Sequence, residues 1–538
     1  MYNYFGAEGL LSQVLEHFQP RAGQLEMAEA VYAILSVDQD IKRSYADVLL
    51  VEAETGIGKS LAYLLPALLS GKRIVISTAT INLQDQILKK EIPLLQTILD
   101  DKISAVCIKG RQNYLCYYRW YQYRSSPQLS LIDDDFCDRI DDWLLTTTTG
   151  DRAELEWLQD RSTLWAKISA QSHQCLGGDC PESSACFINE LRRKAGGASL
   201  LIVNHHLFFS DLALRKAGYG EILPRYEGVI FDEAHHLESV ASSFFGKSFS
   251  QYQVIDLAGD IERQSEADLP PSIADKIIHS VRGVKERVET FSLIFPGERG
   301  RFPLIKFIEG REGWHEEVKH LAAALERIIS QLSEFEGYGE GWRTLIKRAE
   351  ELLNNLIEIG LPEVILEKGR QVHWYEKKER SFSLSVTPVS VAENLRETLY
   401  PVVNYCILTS ATLTTAGDFS YVCERLGLDD DVTTLRFPSP FNYAEKARIY
   451  IPEKGFPLPS EVKYSDMLNQ RIHEILKITK GRGLVLCTSF KGMESVAEYL
   501  CQYLPYPVLV QGSASRHFLL QQFQEVTDSV LIAVASFW

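Results

Sequence analysis

Ala53-Glu54-Thr55-Gly56-Ile57-Gly58-Lys59-Ser60 is the stretch on which the reading of this chain turns. It follows the apolar run Val48–Ala53 and precedes the helix-like Leu61–Leu69, so it reads as a glycine-rich loop between a buried strand and a helix. Glycine lets the backbone curl until its N–H groups face one centre, and the helix N-terminus adds the positive end of its dipole. A loop of this kind cradles phosphate. Residues 53–60 are therefore expected to bind ATP, with Lys59 against the β- and γ-phosphates and Ser60 on Mg²⁺. Ala53 stands where the general pattern has glycine.

Outward from this loop, short runs rich in Val, Ile and Leu recur without polar alternation: Val48–Ala53, Arg73–Thr78, Ser199–Val203, Gly228–Phe231, Tyr405–Thr409, Gly483–Thr488, Pro507–Val510 and Ser529–Val534. That is the mark of parallel strands buried on both faces. Helix-like segments between them predict doubly wound α/β domains, the second beginning near Thr412. The run Gly228–Phe231 ends in Asp232-Glu233-Ala234-His235. Ligands of open α/β sheets bind beyond the C-terminal ends of strands. Asp232 is placed to hold Mg²⁺ through water, and Glu233 to orient and deprotonate an attacking water.

The totals bound the rest. A chain of 538 residues, 45% hydrophobic and 24% charged, has an ordinary globular composition. Its length predicts about three or four domains. No apolar run is long enough to span a bilayer, and the N-terminus lacks a secretory signal, so a cytoplasmic protein is expected. A net charge of −16 argues against general coating of nucleic acid, though not against a local basic channel. Ten cysteines in so long a chain point to metal binding or core positions rather than to disulfides.

Two stretches interrupt the α/β rhythm. Residues 110–190 hold four cysteines of interest, Cys116 and then Cys175-x4-Cys180-x5-Cys186. Four thiolates hold either a [4Fe–4S] cluster or tetrahedral Zn²⁺, and the spacing does not decide between them. The segment 109–124 interleaves Lys109, Arg111, Arg119 and Arg124 with Tyr114, Tyr117, Tyr118, Trp120, Tyr121 and Tyr123, and contains no acid. Cations track phosphates and rings stack on unpaired bases, so this run is a candidate single-strand contact, with about half the rings expected in a small core. Residues 246–372 read as amphipathic helices, Trp314–Phe335 and Trp342–Ile359 among them.

Asp232-Glu233-Ala234-His235 resembles the DEAH box of superfamily 2 helicases, and further motifs follow in the same order. Arg21-x-x-Gln24-x-x-Met27 resembles the adenine-reading segment, and Ser77–Gln86 resembles motif Ia, which contacts the DNA backbone. Leu408–Leu413 resembles motif III, which links hydrolysis to movement; Ser439-Pro440-Phe441 and Leu486–Phe490 resemble markers of the second motor domain. With Gly110-Arg111-Gln112-Asn113-Tyr114-Leu115-Cys116 and the later cysteine intervals, the chain is identified as a member of the XPD-like DNA helicases of the DinG/YoaA type.

The resemblance implies an α/β fold of two RecA-like motor domains with parallel sheets, the first carrying an iron–sulfur insertion and a helical arch. The expected bounds are 1–109, 191–245 and 373–412 for the first motor domain, 110–190 for the cluster insertion, 246–372 for the arch, and 413–538 for an incomplete second motor domain. It implies ATP, Mg²⁺ and a [4Fe–4S] cluster on Cys116, Cys175, Cys180 and Cys186. Gln24 would read adenine, Lys59, Asp232, Glu233 and His235 would serve catalysis, and Ser410 and Thr412 would couple hydrolysis to movement. Thr78, Thr80, Gln84, Arg111, Tyr114 and Arg119 would meet DNA. The partner would be single-stranded or forked DNA, with no membrane, and the protein a monomer associated with the nucleoid and with repair or replication machinery. The alternatives are a non-catalytic ATP-dependent DNA-binding module and a DEAH-type RNA helicase. Ala535-Ser536-Phe537-Trp538 resembles the start of motif V, so the sequence is expected to be a C-terminally truncated form that lacks the arginine of motif VI.

Overall fold

The computed structural model describes residues 1–37, 45–100, 103–125, 131–155, 157–158, 162–171, 175–216, 221–297, 299–361, 371–379, 381–429, 432–514, 516–534 and 537. Ala535, Ser536 and Trp538 of the motif V resemblance lie outside them. The chain divides into two compact units: Met1–Lys109, His173–Leu176 and Leu191–Phe441 form the first, and Gly110–Ser172, Gly177–Glu190 and Asn442–Trp538 the second.

Among the described residues of the first unit the strands, in chain order, are β1 (Asp47–Ala53), β2 (Ile74–Thr78), β3 (Ala105–Cys107), β4 (Leu200–Asn204), β5 (Gly228–Asp232), β6 (Lys247–Ser250), β7 (Gly300–Pro303), β8 (Gln371–Lys377), β9 (Phe382–Pro388), β10 (Tyr405–Ser410) and β11 (Thr433–Phe437). Seven of them form one sheet in the order β11-β1-β10-β5-β2-β4-β3, every neighbouring pair parallel. Successive residues of a strand point to opposite faces, and both faces here are covered. Leu49, Val51, Ile74, Ile76, Ile202, Ile230 and Ile407 enter one apolar core. Leu50, Val75, Leu201, Val203, Val229, Phe231 and Leu408 enter the other. Double burial is why these runs show no alternation.

The first sheet extends further along the chain than the expected boundary at 412–413. β11 pairs with β1, Leu49 opposite Thr433 and Ala53 opposite Phe437, so residues to Phe441 belong to the first unit. The helical insertion also closes later than 372. Helices Gln251–Asp268, Pro271–Ser292, Trp314–Ser333 and Glu340–Gly360 share one core with an antiparallel sheet of order β6-β9-β8-β7. The signal for β9 was present, because Phe382, Leu384 and Val386 alternate with Ser383, Ser385 and Thr387. That period-two pattern is the mark of a half-buried strand.

In the second unit, β12 (Gly483–Cys487), β13 (Val508–Val510) and β14 (Val530–Val534) form a parallel sheet with β14 in the middle. Val530, Ile532 and Val534 face one core, and Leu531 and Ala533 another. The same unit holds residues 110–172, whose core gathers Trp120, Trp143, Trp165, Leu115, Cys137, Ile140 and Ile168. Each of these three indoles donates to an acceptor: Trp120 to Asp141, Trp143 to Glu154 and Trp165 to the Gln112 carbonyl. The insertion therefore has a true core of its own. Among the described residues no helix is long and apolar enough to cross a membrane.

Candidate functional site

A parallel sheet brings all its strand C-termini to one edge, and the order β1-β10-β5 sets three loops side by side there. Glu52 of β1 is level with Ser410 of β10, and Thr409 of β10 with Asp232 of β5. The phosphate loop, the Ser410 loop and the acidic pair are thus neighbours because of strand order.

The phosphate loop turns through Gly56 at φ +95° and Gly58 at φ +88°, a region where a side chain is strained. A Cβ at Gly56 would run into the Phe441 ring, and one at Gly58 into the Gln24 amide. Gln24 Nε2 donates to the Gly58 carbonyl at 3.0 Å, and the Arg21 guanidinium donates to that of Gly56. On the other side, Glu54 accepts from the Ser439 amide at 3.0 Å, and Ser439 Oγ donates to the Thr55 carbonyl at 2.7 Å. The loop is braced from both flanks. The helix Lys59–Leu69 begins directly after Gly58.

Lys59 Nζ lies 3.7 Å from Glu233 Oε1. Glu233 stands at φ +56°, a strained conformation for a residue with a side chain and one that collects at functional sites. Its carboxylate accepts from Ser410 Oγ at 3.1 Å, while Ser410 Oγ and His235 Nδ1 are 2.7 Å apart. The hydrogen bond from His235 holds the Glu233 carboxyl down at about 2 against the opposing effect of burial, with Lys59 and Ser410 adding to it. Asp232 goes the other way. Burial, then the Glu233 charge, pushes it up to about 6, although Tyr63 donates to its Oδ2 at 3.0 Å and the Glu233 amide to its Oδ1 at 3.0 Å. Adjacent carboxyls with separated proton affinities can take separate roles. Asp232 with the hydroxyl of Ser60 offers the hard oxygen donors that Mg²⁺ prefers, and Glu233 is a permanently ionised acceptor beside a lysine.

Two family models match the chain. A model described as DEAD/DEAH box helicase matches residues 28–120, and one described as Helicase C-terminal domain matches residues 472–538. The ATP-dependent DNA helicase YoaA of Haemophilus influenzae is 33% identical over 544 residues, which cover 100% of this chain and 81% of that protein. The chain belongs to the YoaA/DinG family of helicases. The ATP-dependent DNA helicase DinG of Photobacterium profundum is 29% identical over 588 residues, covering 98% and 83%. A solved XPD helicase structure covers 97% of this chain and 81% of its own, at 14% identity and a TM-score of 0.45.

Against that family pattern, several expected site residues stand elsewhere. Gln24 is buried with its amide on the phosphate loop, so in this arrangement it braces that loop. Thr412 is exposed beyond the end of β10, and Ser410 alone of the coupling pair meets the acidic residues. Ser439 and Phe441, expected to mark the second motor domain, belong to the first unit and hold its phosphate loop. Gln84 is fully buried, its amide reaching the carbonyls of Ile108 at 3.4 Å and Ile202 at 3.5 Å, and Thr78 is also buried. Neither presents a side chain to a DNA backbone here. Thr80 caps the helix Ile81–Gln86 through Leu83.

The basic run is spent largely on internal contacts, because acids from other segments meet it. Lys109 is buried against Asp85 at 2.8 Å, and Arg124 pairs with Asp138 at 3.3 Å and Asp141 at 3.4 Å. Arg119 donates to the carbonyls of Ser169 and Ala166, and Tyr114 is buried. Arg111 is half-buried, and of the six rings Tyr121 is the exposed one.

Cys116 precedes the helix Tyr117–Arg124 and Cys186 the helix Phe187–Gly196. A helix N-terminus favours thiolate. Burial raises the Cys116 thiol; the backbone amides of Arg119 and Tyr118 lower it, and the charges of Cys180 and Cys186 raise it. Cys180 and Cys186 are therefore near enough for charge on them to act on Cys116. Cys175 is exposed and grouped with the first unit. Among the described residues no group of three or more His, Cys, Asp or Glu side chains is arranged to hold a metal.

Three residues of the site were not read from the sequence: Tyr63, Glu52, which accepts from the Leu413 and Thr414 amides, and Arg436, which donates to Glu52. A tyrosine in the helix after a phosphate loop reads as core, and only the sheet order shows that it meets Asp232. Glu52 did carry a signal, as a carboxylate inside the apolar run Val48–Ala53.

Proposed function

We propose that this chain is an ATP-driven motor that translocates on single-stranded DNA from 5′ to 3′ and opens duplex or forked DNA in repair or replication, at the nucleoid. The observation that supports it most is the meeting of Lys59 with Glu233, and of Tyr63 with Asp232, at one sheet edge. Lys59 and the loop amides would hold the β- and γ-phosphates while Ser60 and Asp232 hold Mg²⁺, which neutralises charge on the transferring phosphoryl group. Glu233, ionised and anchored by Ser410 and His235, would orient water for attack. Ser410 ties the β10 loop to that carboxylate, so a change at the phosphate can reach the loop.

Cys116, Cys175, Cys180 and Cys186 are proposed to hold a [4Fe–4S] cluster. The effect of charge at Cys180 and Cys186 on the Cys116 thiol, and the two helices that begin directly after Cys116 and Cys186, support that reading. Such a cluster would supply folding free energy to the insertion. DNA contact is proposed through Arg111 and Tyr121.

The deciding measurement is ATP hydrolysis with and without single-stranded DNA, for the protein and its Lys59→Ala variant. DNA-stimulated turnover lost in the variant, with displacement of strands from 5′-tailed duplexes, is the expected result. ATP and DNA binding without turnover would indicate a binding module, and preference for RNA duplexes an RNA helicase.

A further inference from the structure

We propose that Glu52 is a positioning residue for ATP hydrolysis: it locks the Ser410–Thr414 loop onto the strand that carries the phosphate loop, and through Ser410 fixes where Glu233 stands. This role rests on the ATPase reading above.

Glu52 is the last residue but one of β1, directly before Ala53 of the phosphate loop. It lies level with Ser410 on one side and Arg436 on the other. At 4% exposure it is nearly sealed from water, where an unpartnered carboxylate is strongly disfavoured. Its two oxygens are fully engaged. They accept from the amides of Leu413 at 2.7 Å and Thr414 at 2.6 Å, from the Thr414 hydroxyl at 2.9 Å, and from Arg436 Nε at 2.8 Å. Two successive backbone amides on one carboxylate fix the path of the backbone itself, so the loop cannot slide without stranding a buried charge.

That loop begins at Ser410, whose Oγ donates to Glu233. Glu233 in turn faces Lys59, which closes the circuit back to the phosphate loop beside Glu52. A hydrophobic residue at position 52 would satisfy the sheet's demand for burial equally well. A carboxylate there breaks the local pattern, which is expected where function outweighs packing.

The test uses Glu52→Gln, which keeps the shape but turns one acceptor into an N–H₂ group facing donors, with Thr414→Val as a milder variant should the first fold poorly. DNA-stimulated kcat is expected to fall by roughly tenfold or more, with KM for ATP changed less than about threefold, the split that marks loss of an interaction felt only in the transition state. On a Ser410→Ala background the same change should cost little further kcat, because both act through one path. Equal losses on both backgrounds, or unchanged kcat in Glu52→Gln and Thr414→Val, overturn the proposal while leaving the ATPase reading intact. Absence of DNA-stimulated turnover in the unaltered protein overturns both.

Discussion

Tyr63 donates from its phenol to Asp232 Oδ2 at 3.0 Å, joining the helix that leaves the phosphate loop to the strand that ends in the acidic pair. Burial and the neighbouring Asp232 push the phenol well above its ordinary range, so it remains a donor. The bond keeps a nearly sealed carboxyl in one orientation, with its proton affinity lower than burial alone would set it.

Tyr63→Phe removes that donor and leaves Asp232 short of a partner. The loss in stability should be about 1–3 kcal/mol, the usual cost of an unsatisfied buried acceptor. Without the bond the Asp232 carboxyl moves further up from about 6. Mg²⁺-dependent ATP binding should then weaken at mildly acidic pH more than in the parent. Titration of nucleotide affinity against pH checks this; identical profiles would refute it.

Asp232→Asn should stabilise the fold while abolishing hydrolysis. A carboxyl raised from 3.8 to about 6 gives the folded state stability below about pH 4, and that stability is lost as pH rises through about 6. Asparagine has no proton to lose. Above pH 6 the variant should therefore melt higher, by an amount on the order of 1–3 kcal/mol, with the difference closing toward pH 4. Glu233 behaves oppositely: held at about 2, its contribution is present above 4.5 and lost as pH falls through about 2, outside this window. Melting curves between pH 4 and pH 8 test the sign.

Gly58→Ala places a Cβ on a φ of +88° and against the Gln24 amide. Strain of about 1–2 kcal/mol is expected from the backbone alone, and loss of ATP binding from the displaced loop. Gly71→Ala is the control, at φ +69° with nothing within 4 Å of its Cβ. It should show backbone strain and normal nucleotide affinity, read by melting and by fluorescent ATP binding.

Cys180→Ser should release iron and abolish unwinding, with ATP binding by the first unit retained. Iron content and the visible absorption spectrum report the first, and strand displacement the second. Full unwinding by an iron-free protein would remove the cluster from the mechanism.

Much of the first sheet could be read directly from the chain. Buried parallel strands write themselves as unbroken apolar runs, so β1, β2, β4, β5 and β10 were each expected within a residue or two of where they stand. β11 was missed because Thr433-Thr434-Leu435-Arg436-Phe437 lies at the sheet edge, largely exposed and mixed in character. The internal partners of the basic, aromatic run at 109–124 were hidden for a related reason. Charge density along a sequence does not reveal which acids will meet it, and Asp85, Asp138 and Asp141 come from elsewhere in the chain.

The sequence by itself determined the chemistry: a phosphate loop ending in Lys59 and Ser60, an acidic pair at a strand end, and an α/β architecture to carry them. Those are local, because backbone curl and strand burial depend on neighbouring residues. Only the tertiary structure decided which side chains complete the site. Strand order set Tyr63 beside Asp232, Ser410 beside Glu233 and Ser439 beside the phosphate loop, and those meetings join residues far apart in the chain, where no local pattern can record them.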